Sequence, residues 1–317
     1  MRFSWYTLSY MKDLIIIGGG PAGASAAVYA ARKCLSTVLV AEEIGGQSVV
    51  SEGIENWIGT PKISGMELAQ AFKAHIEAVK RDVVEIREGE RVTGLRKEND
   101  AFVATLSGGD EVSARSVLIA SGASRRRLTI PGADEFEHKG VTYCASCDGP
   151  LFSGMDVAVV GGGNAGFETA LQLLAYAKSV TLVHRHADFK ADPVTVAKAK
   201  EHPNMRLCTE SEPVRIEGEK FVSGLVVRHL LTGKETTLPV SGIFVEIGII
   251  PNTDFVADLV ERTASNHIVT DPRTQRTSAD GVWAAGDVTD ELYHQNNIAS
   301  GDAVTALEDL YLWLKRQ

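Results

Sequence analysis

Only four cysteines occur in 317 residues, too few to staple a secreted scaffold that cannot build its own core. No stretch approaches the roughly 18 to 20 apolar residues that a membrane helix needs. The opening MRFSWYTLSY has one Arg among polar and aromatic residues, without the charged start and apolar run of a signal peptide. Basic residues are in deficit: 32 Lys and Arg stand against 41 Asp and Glu, a formal charge of −9. That is the wrong sign for a protein that neutralises a phosphate backbone, so no nucleic acid is expected as a partner. A cytoplasmic protein with no membrane association is expected, its residues 1–10 a loosely attached extension.

What is present is ordinary globular composition, with 44% apolar and 23% charged residues, in a chain long enough for about two domains. One motif occurs twice. Residues 13–23 (DLIIIGGGPAG) and 156–166 (DVAVVGGGNAG) are each a short apolar strand running into G-x-G-x-x-G. Helical stretches follow at 22–33 and 165–177, then second strands at 37–40 and 180–183, which completes βαβ units of about 30 residues. In each unit the first glycine (Gly18, Gly161) permits the tight turn. The second (Gly20, Gly163) lets backbone N–H groups approach a pyrophosphate, and the third (Gly23, Gly166) lets the helix pack closely. Two such units imply two dinucleotides.

The units differ at the end of their second strands. Glu42 and Glu43 in the first can accept hydrogen bonds from ribose hydroxyls and would repel a 2′-phosphate, which suits FAD or NAD. The second offers Arg185 and His186, followed by Lys190. These are either cations that favour the 2′-phosphate of NADP(H) or solvated strand-end charges.

Cys144 and Cys147 form a C-x-x-C just before the second unit, in TYCASCDGP. A zinc site would need two more ligands, yet Cys34 and Cys208 are isolated and no H-x₃₋₅-H follows, so no metal is expected. A dithiol instead exchanges two electrons, the number a hydride or a flavin carries. Asp148, next to Cys147, can donate a proton to a departing thiolate if burial raises its pKa, or can serve as a turn or cap residue. Cys34, on the apolar helix of the first unit, and Cys208, in the strand-like MRLCT, are expected to be buried small hydrophobes.

Elsewhere, residues 66–80 read as an amphipathic helix, and 83–86, 102–106 and 111–120 as strands. Arg125, Arg126 and Arg127 begin a linker that Pro131 and Gly132 continue, either a solvated run or a docking patch for an acidic partner. Gly248, Pro251 and Asn252 mark a second turn before the chain returns. Residues 307–314 (LEDLYLWL) read as an amphipathic terminal helix in which Trp313 packs rather than covers a cofactor.

The order GGGPAG, GGQ (45–47), IENWIG (54–59), CASCDG (144–149), GGGNAG and GVWAAGDV (281–288) resembles that of the low-molecular-weight flavoprotein thioredoxin reductases, from residue 13 to about 310. The C-A-x-C-D-G within the nucleotide insertion is the specific element. The resemblance implies an α/β fold of two Rossmann-like dinucleotide-binding domains, the second inserted into the first. Residues 1–124 with 253–317 would bind FAD, and 125–252 would carry the nicotinamide nucleotide and the dithiol. It places Gly18, Gly20, Pro21, Ala22 and Gly23 around the FAD pyrophosphate and Glu42 near the adenosine ribose. Gly46, Gln47 and Asn56 match flavin contacts, Asp287 the ribityl or phosphate ligand, and Gln295 with Asn296 the segment near the isoalloxazine. The resemblance further implies that FAD reduces a Cys144–Cys147 disulfide, and that the dithiol exchanges with a disulfide on thioredoxin or a similar small protein. Cys147 would face the flavin, Cys144 attack the acceptor, and Asp148 donate the proton. Rotation of the inserted domain on linkers near 122–127 and 246–252, and a homodimer, are implied as well.

The electron donor is where the chain departs from the family pattern. His-Arg-Arg-x-x-x-Arg-Ala there reads His184-Arg185-His186-Ala-Asp-Phe-Lys190-Ala191 here. A His is largely neutral near pH 7 and Lys replaces a bidentate fork with a point charge. Losing strong hydrogen bonds to the phosphate, at about 1.5–3 kcal/mol each, weakens NADPH binding by tens to hundreds of fold. His294 also stands where the family has Arg, beside the flavin. NADPH is the expected donor, and ferredoxin, NADH or another donor the alternative. A non-catalytic flavin redox sensor is the third reading.

Overall fold

A computed structural model describes residues 11–51, 54, 56–143, 145–256 and 258–317, with Ser146 and Cys147 as backbone alone. The extension at residues 1–10 and Cys144 lie outside the described residues. Two compact units divide the chain: one takes it up to Ser124 and again from Ile250, the other is Arg125–Ile249.

The first unit begins β1 (Lys12–Ile17), α1 (Pro21–Arg32), β2 (Thr37–Ala41), α2 (Gly65–Val79) and β3 (Val84–Glu88). Its strands are parallel in the order β3-β2-β1. β1 is Leu and Ile from residue 14 to 17 because both its faces are covered there: Leu14 and Ile16 join the alanines of α1 in one core, Ile15 and Ile17 join the core on the other side. β4 (Val92–Glu98), β5 (Ala101–Leu106), β6 (Glu111–Ile119) and the short β7 (Ala123–Arg125) follow. β4 and β5 form an antiparallel hairpin on the first half of β6.

The second unit runs β8 (Val141–Thr142), α3 (Ala145–Asp148), β9 (Asp156–Val160), α4 (Asn164–Leu173), β10 (Ser179–Val183), α5 (Pro193–Glu201) and β11 (Met205–Cys208). It continues with β12 (Ser211–Gly218), β13 (Val222–His229), β14 (Glu235–Leu238) and β15 (Gly242–Val245). The main sheet is parallel in the order β11-β10-β9-β15-β8. Val157 and Val159 pack with α4, while Ala158 and Val160 pack with residues of the antiparallel β12-β13-β14 sheet. Helix α4 stops at Leu173, short of the expected 177, where Tyr176 O turns to accept from Gly154 N at 2.9 Å.

The chain returns through β16 (Ile249–Pro251), which pairs with β7, and then forms β17 (Val282–Ala284) and α6 (Asn296–Leu314). β17 lies parallel to the second half of β6, with Val282 opposite Val117 and Ala284 opposite Ile119. The terminal helix therefore starts eleven residues before the expected 307, and its Ala299, Ala303 and Ala306 share a core with the alanines of α1. Among the described residues no helix is long and apolar enough to cross a membrane.

Trp313 packs edge-on to the buried Trp283, with centroids 5.7 Å apart, and donates to Asp280 Oδ1 at 2.9 Å. Trp283 Nε1 in turn donates to Asp309 Oδ2 at 3.0 Å, an oxygen that also accepts from Arg276 Nε at 2.5 Å. Asp309→Ala leaves the buried indole N–H unpaired, and urea unfolding should show a loss of about 1–3 kcal/mol.

Cys34 corrects the sequence reading. It is exposed, at φ 57° in the turn after α1, because Leu35 rather than Cys34 folds back into the core. Cys208 is half-buried at the end of β11.

Candidate functional site

Both glycine turns separate what the fold demands from what a ligand demands. A Cβ on Gly18 would stand 2.1 Å from Ala120 O, and one on Gly23 1.8 Å from Gly18 O. In the second unit a Cβ on Gly161 would stand 2.0 Å from Glu246 O, and one on Gly166 2.0 Å from Gly161 O. These four are glycine because protein backbone occupies the place of a side chain. Gly20 and Gly163 are different: φ is −68° and −88°, and among the described residues a Cβ on either meets nothing within 4 Å. Neither packing nor dihedral requires glycine there, whereas a pyrophosphate approaching the backbone does.

The helices that start at these turns fit the same group. Ser64 and Glu67 cap α2 reciprocally, and Asp192 caps α5 by accepting from Val194 N at 2.8 Å. Gly20 and Gly163 offer α1 and α4 no side-chain cap, which leaves their first N–H groups for an anion. Pro21 sits at the first helical position of α1, where its missing N–H costs nothing, and Ala22 is buried beside it.

Around the first turn the residues expected at the flavin come together. A Cβ on Gly46 (φ 56°) would stand 3.0 Å from Gly20 Cα, so this loop lies against the turn. Gln47 Nε2 donates to Ala123 O. Asn56 Nδ2 donates to Gln295 Oε1 at 2.8 Å, and Ser48 Oγ donates to Asn296 Oδ1 at 3.1 Å. Asn297, not singled out from the sequence, ties the cluster by donating to Asn56 O at 2.6 Å and accepting from Ile58 N at 3.4 Å. Glu42 is exposed just past β2, 3.9 Å from Arg91 Nη1.

Asp287 follows Gly286, whose Cβ would stand 3.0 Å from Ala299 Cβ and 3.4 Å from Ala22 Cβ; the acid thus lies between the starts of α1 and α6. Its Oδ1 is 3.6 Å from His294 Nδ1, and this carboxylate raises the imidazole pKa despite burial. Asp302, on α6, takes a backbone hydrogen bond from Gly286, while its buried Oδ2 has no partner among the described residues. Burial and then Glu291 push its pKa from 3.8 to about 6. The folded protein therefore holds a proton that the unfolded chain releases at lower pH, and stability falls as pH rises through this window. Asp302→Asn should raise the stability of the apoprotein by about 1 kcal/mol at pH 7.5, allowing for solvent screening of a half-buried group, and by nothing at pH 3.5. Thermal melts at the two pH values check it.

In the second unit, α3 holds the Cys147 backbone between β8 and β9, and half-buried Asp148 accepts from the Thr142 hydroxyl. Cys144 lies outside the described residues. Beyond β10, Arg185, His186 and Lys190 are exposed. The His184 ring lies against Gly162, where a Cβ would stand 2.5 Å from it, and stacks on Phe189 at 5.3 Å. Burial lowers the pKa of His184 and so favours its neutral form. Glu246, read from sequence only as part of a linker, follows β15 with its side chain 15% exposed and accepts from Thr169 Oγ1 at 2.9 Å. The sequence sign was a lone acid directly after the apolar run GIFV.

Residues 12–303 match the family of pyridine nucleotide-disulphide oxidoreductases. The chain is 40% identical over 304 residues to the F component of Staphylococcus aureus alkyl hydroperoxide reductase. It is 38% identical over 304 residues to a Bacillus subtilis protein named NADH dehydrogenase. Each alignment covers 96% of this chain and 59% of the relative, so the chain spans about three-fifths of the length of these curated relatives. Among solved structures, thioredoxin reductase of Lactococcus lactis matches with a TM-score of 0.83 and 34% identity, covering 96% of this chain and 100% of that one.

Proposed function

Because the chain belongs to the pyridine nucleotide-disulphide oxidoreductase family, as a flavoprotein oxidoreductase of thioredoxin-reductase type, we propose that it carries electrons from NADPH through FAD to Cys144 and Cys147, and from them to a disulfide of thioredoxin or a similar small protein. The observation that supports this reading is the doubled turn with an unforced glycine at an uncapped helix start, in a chain whose C-x-x-C lies in the second unit. FAD, when bound, supplies a carrier that accepts a hydride and passes on two electrons.

The chain's own residues supply the rest. Gly20 and the α1 N–H groups would hold the flavin nucleotide's pyrophosphate, Glu42 its ribose and Asp287 its ribityl or phosphate portion, while Gln47, Asn56, Gln295 and Asn296 would border the ring. Gly163 and the α4 N–H groups hold the donor's pyrophosphate, and Arg185 with Lys190 its 2′-phosphate. The Cys144 thiolate attacks the acceptor disulfide, forming a mixed disulfide and releasing one acceptor thiolate. Cys147 then attacks Cys144 Sγ, closing the Cys144–Cys147 disulfide and releasing the second thiolate. Asp148, oriented by Thr142, exchanges the proton at the Cys147 sulfur.

NADH is the second reading for the donor. His186 stands where the family pattern has an Arg, and a relative of this chain is named NADH dehydrogenase. Anaerobic mixing of the oxidised protein with NADPH, NADH or reduced ferredoxin, followed by flavin bleaching, separates these. NADPH should bleach it fastest, and Arg185→Ala should weaken NADPH by roughly tenfold or more while leaving NADH unchanged. Faster bleaching by NADH or ferredoxin overturns the assignment of the donor.

A further inference from the structure

We propose that Glu246 is a contact of the second nucleotide site, set against the nicotinamide end of the donor, where its carboxylate favours the oxidised, cationic ring over the reduced, neutral one. The inference rests on reading the second unit as a pyridine nucleotide site. The sheet order β11-β10-β9-β15-β8 places the successor of β9 on one side of it and β15 on the other. The crevice at the carboxyl ends of β9 and β15 is therefore the topological switch point, where ligands of such sheets bind. Its two walls are the turn that Gly161 opens and Glu246, the first residue after β15. Glu246 N donates to Val160 O at 2.8 Å, and Glu246 O fills the place of a Gly161 side chain.

The carboxyl is thus held at the site by backbone on one side and by α4 on the other. Both of its side-chain contacts among the described residues use Oε1: Thr169 Oγ1 at 2.9 Å, and Arg125 Nη1 at 3.9 Å. Oε2 is left for a ligand. Gln would satisfy Thr169 equally well, so the charge itself is what this position adds; Arg125 at 3.9 Å offsets part of its burial cost from the Oε1 side, and a cationic ligand ring at Oε2 would offset more. A nicotinamide carries its positive charge in one redox state, and a carboxylate beside it discriminates between the two.

The charged groups facing Glu246 are Arg125 from β7 and Glu168 from α4. Burial, the largest influence, raises its pKa, as Glu168 also does, against Thr169 and Arg125. A raised carboxyl pKa means that the acid is neutral over more of the acid range, so the preference for oxidised nucleotide should shrink as pH falls.

The test is equilibrium binding of NADP⁺ and of the tetrahydro nucleotide, a neutral mimic that donates no hydride, to the oxidised holoprotein at pH 5.5 and 8. Glu246→Gln should weaken NADP⁺ roughly tenfold and the neutral mimic less than about threefold at pH 8. The pH dependence of their affinity ratio, present in the wild type, should vanish in the variant. Equal weakening of both ligands, or a wild-type ratio that does not change with pH, overturns this role and makes Glu246 a structural prop. A wild-type protein that binds neither these nor the NAD pair overturns the nucleotide reading of the second unit as well, before any variant is compared.

Discussion

Cys147→Ser should stop turnover and trap the acceptor: Cys144 still attacks the acceptor disulfide, but no thiol remains to resolve the mixed disulfide. The covalent complex should appear on a non-reducing gel as a band that dithiothreitol removes. Cys144→Ser should leave flavin reduction by the donor intact, trap no acceptor, and lose turnover by at least roughly a thousandfold, since a two-thiol relay has no bypass when either sulfur is gone. Trapping by the Cys144 variant alone would exchange the two assignments. Normal turnover in either variant would remove the dithiol from the route altogether.

The glycine turns give the second large effect, because the structure divides their glycines into two kinds. At Gly20 an alanine side chain meets no atom of the described residues within 4 Å, so Gly20→Ala should fold with little change in stability and lose flavin. A methyl group in the pyrophosphate's path removes a charge-assisted hydrogen bond worth about 1.5–3 kcal/mol, which is tens to hundreds of fold in affinity. Gly163→Ala should do the reverse, staying yellow while losing reduction by pyridine nucleotide. Gly23→Ala is the contrasting case: its Cβ would fall 1.8 Å from Gly18 O, and the first unit should fail to fold. Flavin content after gel filtration, with circular dichroism as the fold check, distinguishes the three. Retention of flavin by Gly20→Ala would show that the open space beside that residue is not where the pyrophosphate lies.

The turns were legible in the sequence because they report local backbone demands, and the parallel parts of both sheets because β1 and β9 each end in a run of four apolar residues. Among the strands that escaped notice, β4 (VTGLRKE) and β12 (SEPVRIEG) bury only two residues each, without a regular alternation, and contain Gly or Pro. Cys34 was misplaced because the alanine pattern of α1 runs up to it, while its left-handed dihedral, which ends the helix, leaves no mark in composition. The neighbours Asn296 and Asn297 look alike in sequence, yet one accepts from Ser48 and the other binds the Asn56 backbone. Glu246 shows the harder limit. Its identity was plain, but its burial depends on Thr169 and Arg125, brought beside it from distant parts of the chain.

The change of partner along β6 bears on how the molecule is made. Its first half finds β5 at once, whereas its second half waits for Val282–Ala284, which leave the ribosome only after the whole of Arg125–Ile249. Until then that half of the strand is an open edge, available for mispairing with other chains. Ala299, against Gly286 and Ala22, arrives later still. Capture of the flavin nucleotide is therefore among the last events of biogenesis, and chains shortened from the carboxyl end should accumulate colourless and prone to aggregate.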